Sequence, residues 1–164
     1  MMNAMIPKPS RIVLDTNVCL DLFVFRDPRW QRLLAGLETG LLQAVTRTDC
    51  RKEWLLVLQY SHLPLDEAGR HAAQADFDRL IQPSGQEPAP EPHPLPACKD
   101  KDDQKFLELA RDAGAEILIT KDKALLKLAR RLARIGLFRI ITPEAWLAEN
   151  ETPNVTSPAA TMPA

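Results

Sequence analysis

The chain has 164 residues, a length that fits one domain and leaves little room for a second. With 45% hydrophobic and 26% charged residues it falls in the globular range, which excludes disorder for most of its length. A formal net charge of -1 excludes a globally basic protein, so any nucleic-acid contact has to come from a local patch.

The first residues, MMNAMIPKPSR, lack the apolar core of a secretory signal, and no apolar stretch further on approaches the ~20 residues of a membrane span. A cytoplasmic location is therefore expected, with residues 1–10 as a flexible terminus. The continuous apolar run at 11–14 reads as a buried strand of a parallel sheet. Asp15, Thr16 and Asn17 follow, all good helix caps, before an apolar helix over 18–25. A second helix is predicted over 29–39, stopped by Gly40, then a short strand over 41–45. Thr48 is placed to cap a third helix that runs through Glu53 to about 60, and a fourth spans 66–81.

Prolines at 83, 88, 90, 92, 94 and 96 rule out helix and predict an extended internal linker at about 83–97. Beyond it, the acidic run at 100–103 opens a helix through Phe106, Leu107 and Ala110 that Gly114 ends. Residues 117–120 form a second buried-strand run, Asp122 caps a helix to about 135, and 139–141 make a last strand. A final helix over 143–150 is predicted from its Thr142 cap and Pro143, followed by a flexible tail over 151–164. Strands alternating with helices predict an α/β domain over 11–150 with a parallel sheet.

In open α/β sheets, sites form where strands end and lead into helices. Asp15 directly follows one buried strand and Asp122 follows another, so both fall on one edge of the sheet, although each also has the simpler reading of a helix cap. Asp103 shares a helical face with Phe106, Leu107 and Ala110, whereas Asp100 and Asp102 are rotated away; either could replace Asp103 if that helix starts elsewhere. Glu53 borders an apolar face through Cys50 and Val57, or else belongs to a solvated surface. Four half-buried acids cannot all ionise together without a counter-charge, and hard oxygen ligands suit Mg²⁺ or Mn²⁺. His62, His71 and His93 have no metal-ligand spacing and read as surface residues. Cys19, Cys50 and Cys98 form no C-x-x-C pair and read as free thiols. Lys123, Lys127, Arg130 and Arg134 recur at three and four residues on the helix after Asp122, opposite its leucines. They form either a guide for phosphates or the ordinary charged face of an amphipathic helix.

R-I-V-L-D-T-N-V at 11–18, the helix bearing Glu53, D-K-D-D-Q-K-F-L-E-L-A at 100–110 and I-L-I-T-K-D at 117–122 together resemble the PIN-domain nucleases. The stretch C-K-D-K-D-D-Q-K-F-L-E-L-A is particularly similar to the VapC-like toxin components of toxin–antitoxin systems. The resemblance implies a three-layer α/β/α domain around a mainly parallel sheet. It also implies a nuclease that cuts single-stranded RNA and leaves a 5′ phosphate. On the same ground, Asp15, Glu53, Asp103 and Asp122 take the places of acidic metal-binding residues, and Asn17 and Thr120 match polar positions that orient them, with Thr16 and Asp100 in support. A cognate antitoxin and a homodimer are further implications. Lys121 departs from the small residue often found before the last Asp in similar proteins. Two rival readings are a catalytically inactive PIN-like binding module, which is expected to lack acids that this chain keeps, and an Asp-dependent phosphohydrolase. The latter expects a second Asp at position 17, where this chain has Asn.

Overall fold

A computed structural model describes residues 9–84 and 91–151. The terminal segments expected to be flexible lie almost wholly outside these residues, as does the middle of the proline-rich linker.

Among the described residues, five strands form one all-parallel sheet in the order β3-β2-β1-β4-β5: β1 Ser10–Leu14, β2 Leu42–Thr46, β3 Ile81–Pro83, β4 Ile117–Ile119 and β5 Arg139–Ile141. The chain builds outward from β1 to β2 and β3, then crosses back to lay β4 on the other side of β1. The point where strand order reverses therefore lies between β1 and β4, where Leu14 pairs with Ile119. Ligand crevices of open α/β sheets form at such a point.

Alternation along each strand feeds two cores. Ile12 and Leu14 of β1 face a layer with Trp54, Phe77 and Trp146, while Val13 faces the opposite layer with Phe106, Leu107 and Leu118. Both faces of the sheet are thus covered, the condition under which parallel strands read as unbroken apolar runs. This is the expected three-layer α/β/α architecture.

The helices are α1 Thr16–Phe23, α2 Gln31–Thr39, α3 Thr48–Val57, α4 Glu67–Leu80, α5 Gln104–Asp112, α6 Lys123–Leu126, α7 Ala129–Arg134 and α8 Pro143–Glu149. Gly40 ends α2 in the left-handed conformation, as its lack of a Cβ allows. Thr142 caps α8 by accepting from the Ala145 N–H, and Asp66 caps α4 by accepting from that of Gly69.

Several elements differ from the sequence reading. α3 stops at Val57 rather than at about 60, and Thr48 is its first residue rather than its cap. Residues 81–83 leave α4 to form the edge strand β3, where Pro83 is tolerated because its missing N–H faces no further strand. The helix after Asp122 is not continuous, because Lys127 and Leu128 form a turn that separates α6 from α7. The acidic run opens with a 3₁₀ turn, Lys101–Asp103, before α5 begins. The described end of the linker, residues 91–97, is irregular and is tied to α5: Arg111 donates to the His93 carbonyl (3.0 Å) and Gln104 to that of Pro96 (3.1 Å).

Candidate metal centre

Asp15 leaves β1 and is the residue before α1, with only 3% of its surface exposed. Its side chain does not cap α1. It turns instead toward β4, where the fully buried Thr120 hydroxyl donates to it at 2.6 Å. The same hydroxyl accepts from the backbone N–H of Asp122 at 2.9 Å, so one side chain fixes both strand-end acids. Burial holds the Asp15 carboxyl above its ordinary value, with the charges of Glu53 and Asp122 adding to the effect and the Thr120 bond opposing it. Asp122 caps α6 through the Ala124 N–H at 2.7 Å, which restrains its rotamer.

Asp103 closes the 3₁₀ turn and is buried, and among the described residues its Oδ2 has no hydrogen-bond partner. One oxygen each of Asp100, Asp103 and Asp122 lie within 4.8 Å of one another. Asp100 was expected to be rotated away from Asp103 on an α-helix. In a 3₁₀ turn residues three apart eclipse, and this brings Asp100 into register with Asp103. The Asp103 carboxyl is pushed up to about 8, first by burial, then by sharing a proton with Asp122 and by the charges of Asp15, Asp122 and Asp100.

Asp15, Glu53, Asp103 and Asp122 all line one cavity of about 290 Å³ at the β1/β4 switch point. Asp15 and Glu53 stand outside the close trio. Glu53, on α3, accepts from the Thr16 hydroxyl and from Lys105 Nζ at 2.7 Å. The Lys105 ammonium also donates to the Asp102 carbonyl and lies 5.2 Å from the centre of the Phe106 ring. Glu53 is therefore already partnered in charge, unlike Asp103. Asn17 is exposed on the cavity wall and, among the described residues, donates to none of the acids; Thr16 and Thr120 do.

The four basic residues after Asp122 are all exposed, and among the described residues none is paired with a carboxylate. The buried Leu125 and Leu132 lie inward as expected, although Lys127 belongs to the turn rather than to a helix. Lys121, unusual before the last acid, donates to Asp21 of α1 at 2.6 Å, and so ties the loop carrying Asp122 to the helix that follows Asp15. The pairs Lys105–Glu53 and Lys121–Asp21 had no signal in the sequence, because each joins residues 52 or 100 positions apart. The rest of the cavity lining was also missed: Leu20, Val57, Tyr60, His62 and Leu63 line the same cavity as the acids. His62 is thus exposed as read, but at the mouth of the site.

The donor set fits a hard divalent cation: it is all carboxylate, partly desolvated, and includes one buried oxygen with nothing to bind. Neither zinc nor thiolate chemistry fits. The three cysteines are free and buried, and burial raises each thiol above its ordinary value.

The family model for the PIN domain matches residues 11–124, which contain β1 through β4 and every acid described above. No curated protein matches the chain. From the sheet order, the acids at its switch point and a family match across most of the sequence, we conclude that this chain belongs to the PIN-domain family, whose members are generally metal-dependent nucleases.

Proposed function

We propose that the chain is a metal-dependent endoribonuclease that hydrolyses phosphodiester bonds of single-stranded RNA and acts as the toxin of a toxin–antitoxin pair. The observation that carries the catalytic part of this reading is Asp103, a buried carboxylate with an unpartnered oxygen beside Asp100, Asp122 and Asp15 in an open cavity. Such a group has no structural reason to be acidic, since it neither caps a helix nor pairs with a cation.

Asp15, Glu53, Asp103 and Asp122, with Asp100 in support, would hold Mg²⁺ or Mn²⁺. When bound, the cation supplies charge for the phosphate and the leaving oxygen and acidifies a water. Thr120 keeps Asp15 and Asp122 at fixed spacing, so no rearrangement is needed when substrate arrives. Glu53 lines the same cavity and is held there by Thr16 and Lys105. Water oxygen bonds to phosphorus, the bond from phosphorus to the 3′ oxygen breaks, and that oxygen leaves as a hydroxyl after taking up a proton. The 5′ phosphate stays on the downstream fragment.

RNA as substrate, the antitoxin and a homodimer rest on the resemblance of the 98–110 motif to toxin components. The side chains Val18, Cys19, Leu22 and Phe23 of α1 are used in the core, while Phe25 just beyond it is exposed. The same catalytic reading separates from a phosphohydrolase by assay. Single-stranded RNA is expected to be cut in Mg²⁺ or Mn²⁺, with EDTA abolishing cleavage and added cation restoring it, while a small phosphomonoester is left intact. Turnover of the phosphomonoester without RNA cleavage would replace this proposal with the phosphohydrolase.

A further inference from the structure

The cavity that holds the acids is also lined by Leu20, Val57 and Leu63 and by two exposed rings, Tyr60 and His62. Tyr60 and His62 sit 5.6 Å apart, centre to centre, with their planes inclined by 37°. Tyr60, the chain's only tyrosine, is 50% exposed.

The loop that carries these rings is firmly anchored. Leu58 and Leu63, on either side, are buried, while the Tyr60 N–H donates to the Val57 carbonyl at 3.0 Å and that of Leu63 to the Tyr60 carbonyl at 3.2 Å. Arg70 of α4 also donates to the Leu58 carbonyl at 3.1 Å. Anchoring both ends while leaving the rings outside presents aromatic surface without the entropy cost of ordering it on binding.

We propose that Tyr60 and His62 form a stacking platform for a nucleobase flanking the scissile phosphate, and so a binding subsite that selects unpaired over paired strands. This rests on the nuclease reading above. With a phosphate at the acids, a flanking base can stack on a ring that lines the same cavity, and Tyr60 and His62 supply two, inclined by 37° to each other. Stacking on aromatic side chains requires bases freed from a duplex and tolerates any base, so the platform reads strandedness rather than sequence.

The test uses the full chain carrying Asp15→Asn, in Mg²⁺, with two labelled oligomers of equal length and phosphate count. One is single-stranded RNA and the other carries stable abasic sites throughout. The RNA is expected to bind about tenfold more tightly than the abasic strand, from the usual strength of one stacked base. Tyr60→Ala should erase this difference without changing affinity for the abasic strand, and Tyr60→Phe should keep it. In the tyrosine-labelled chain, the single ring signal should move upfield in nuclear magnetic resonance spectra when RNA is added, and not with the abasic strand. Equal binding of both strands, or an equal loss of both in Tyr60→Ala, would overturn the platform and leave the nuclease reading intact. If neither strand binds, the platform falls, and cleavage of single-stranded RNA by the unsubstituted chain decides the nuclease reading separately.

Discussion

Asp103 carries a carboxyl group that burial and neighbouring acids keep protonated up to about pH 8, so its titration is written into the stability of the fold. The folded value lies above the ordinary 3.8, and the protonated form is therefore the one that the fold favours. Its contribution is complete below about pH 4 and is lost as pH rises through about 8. Asp15, also raised by burial, acts in the same direction. The metal-free chain should become less stable by denaturant titration from about pH 4 to about pH 8, and Asp103→Asn should flatten that dependence. A divalent cation should reverse the loss, because it replaces the proton as the counter-charge. A flat profile in the unmodified chain would mean that Asp103 is ionised and solvated, contrary to its buried position.

At the scale of elements, the site depends on α3 keeping its angle to the sheet, since Glu53 projects from it. Trp54, the next residue, stacks on Phe77 of α4 at 5.2 Å and meets Phe23 of α1 edge-on at 6.1 Å. Trp54→Ala should cost about 3–5 kcal/mol in chemical denaturation, the usual loss for a buried aromatic in a core. A cost under about 1 kcal/mol would show that α3 is held by other contacts. The strands at 11–14, 117–119 and 139–141 were legible because buried parallel strands are written as short apolar runs, and Asp15 and Asp122 were legible from following two of them. The edge strand β3 was not, since three residues continuing from a helix carry no periodicity of their own. Asp100 was misplaced for a related reason: whether an acidic run starts as α or 3₁₀ turns on local hydrogen bonds such as the one from the Asp102 N–H to Asp100, and these decide which acids share a side. The aromatic wall was out of reach because Tyr60 and His62 follow α3 in an irregular loop, where no pattern gives direction.

The whole molecule is nearly neutral, yet its cavity is lined by carboxylates that repel a polyanion. Binding of RNA therefore needs cations at the acids and a separate basic surface, and Lys123, Lys127, Arg130 and Arg134 offer exposed charge that no carboxylate among the described residues pairs with, just beyond Asp122. Neutralising any one of these should weaken RNA binding and lower the slope of log affinity against log salt by about 0.7 for each phosphate that is no longer neutralised. An unchanged slope would make them an ordinary solvated face. The central claim is that the acids at the switch point hold the metal that cleaves RNA, and Asp15→Asn tests it most directly, because Asn preserves shape and can still accept from Thr120. The variant should fold with stability equal to or above that of the parent while losing Mg²⁺- or Mn²⁺-dependent cleavage of single-stranded RNA. Full cleavage by the folded variant would contradict the account.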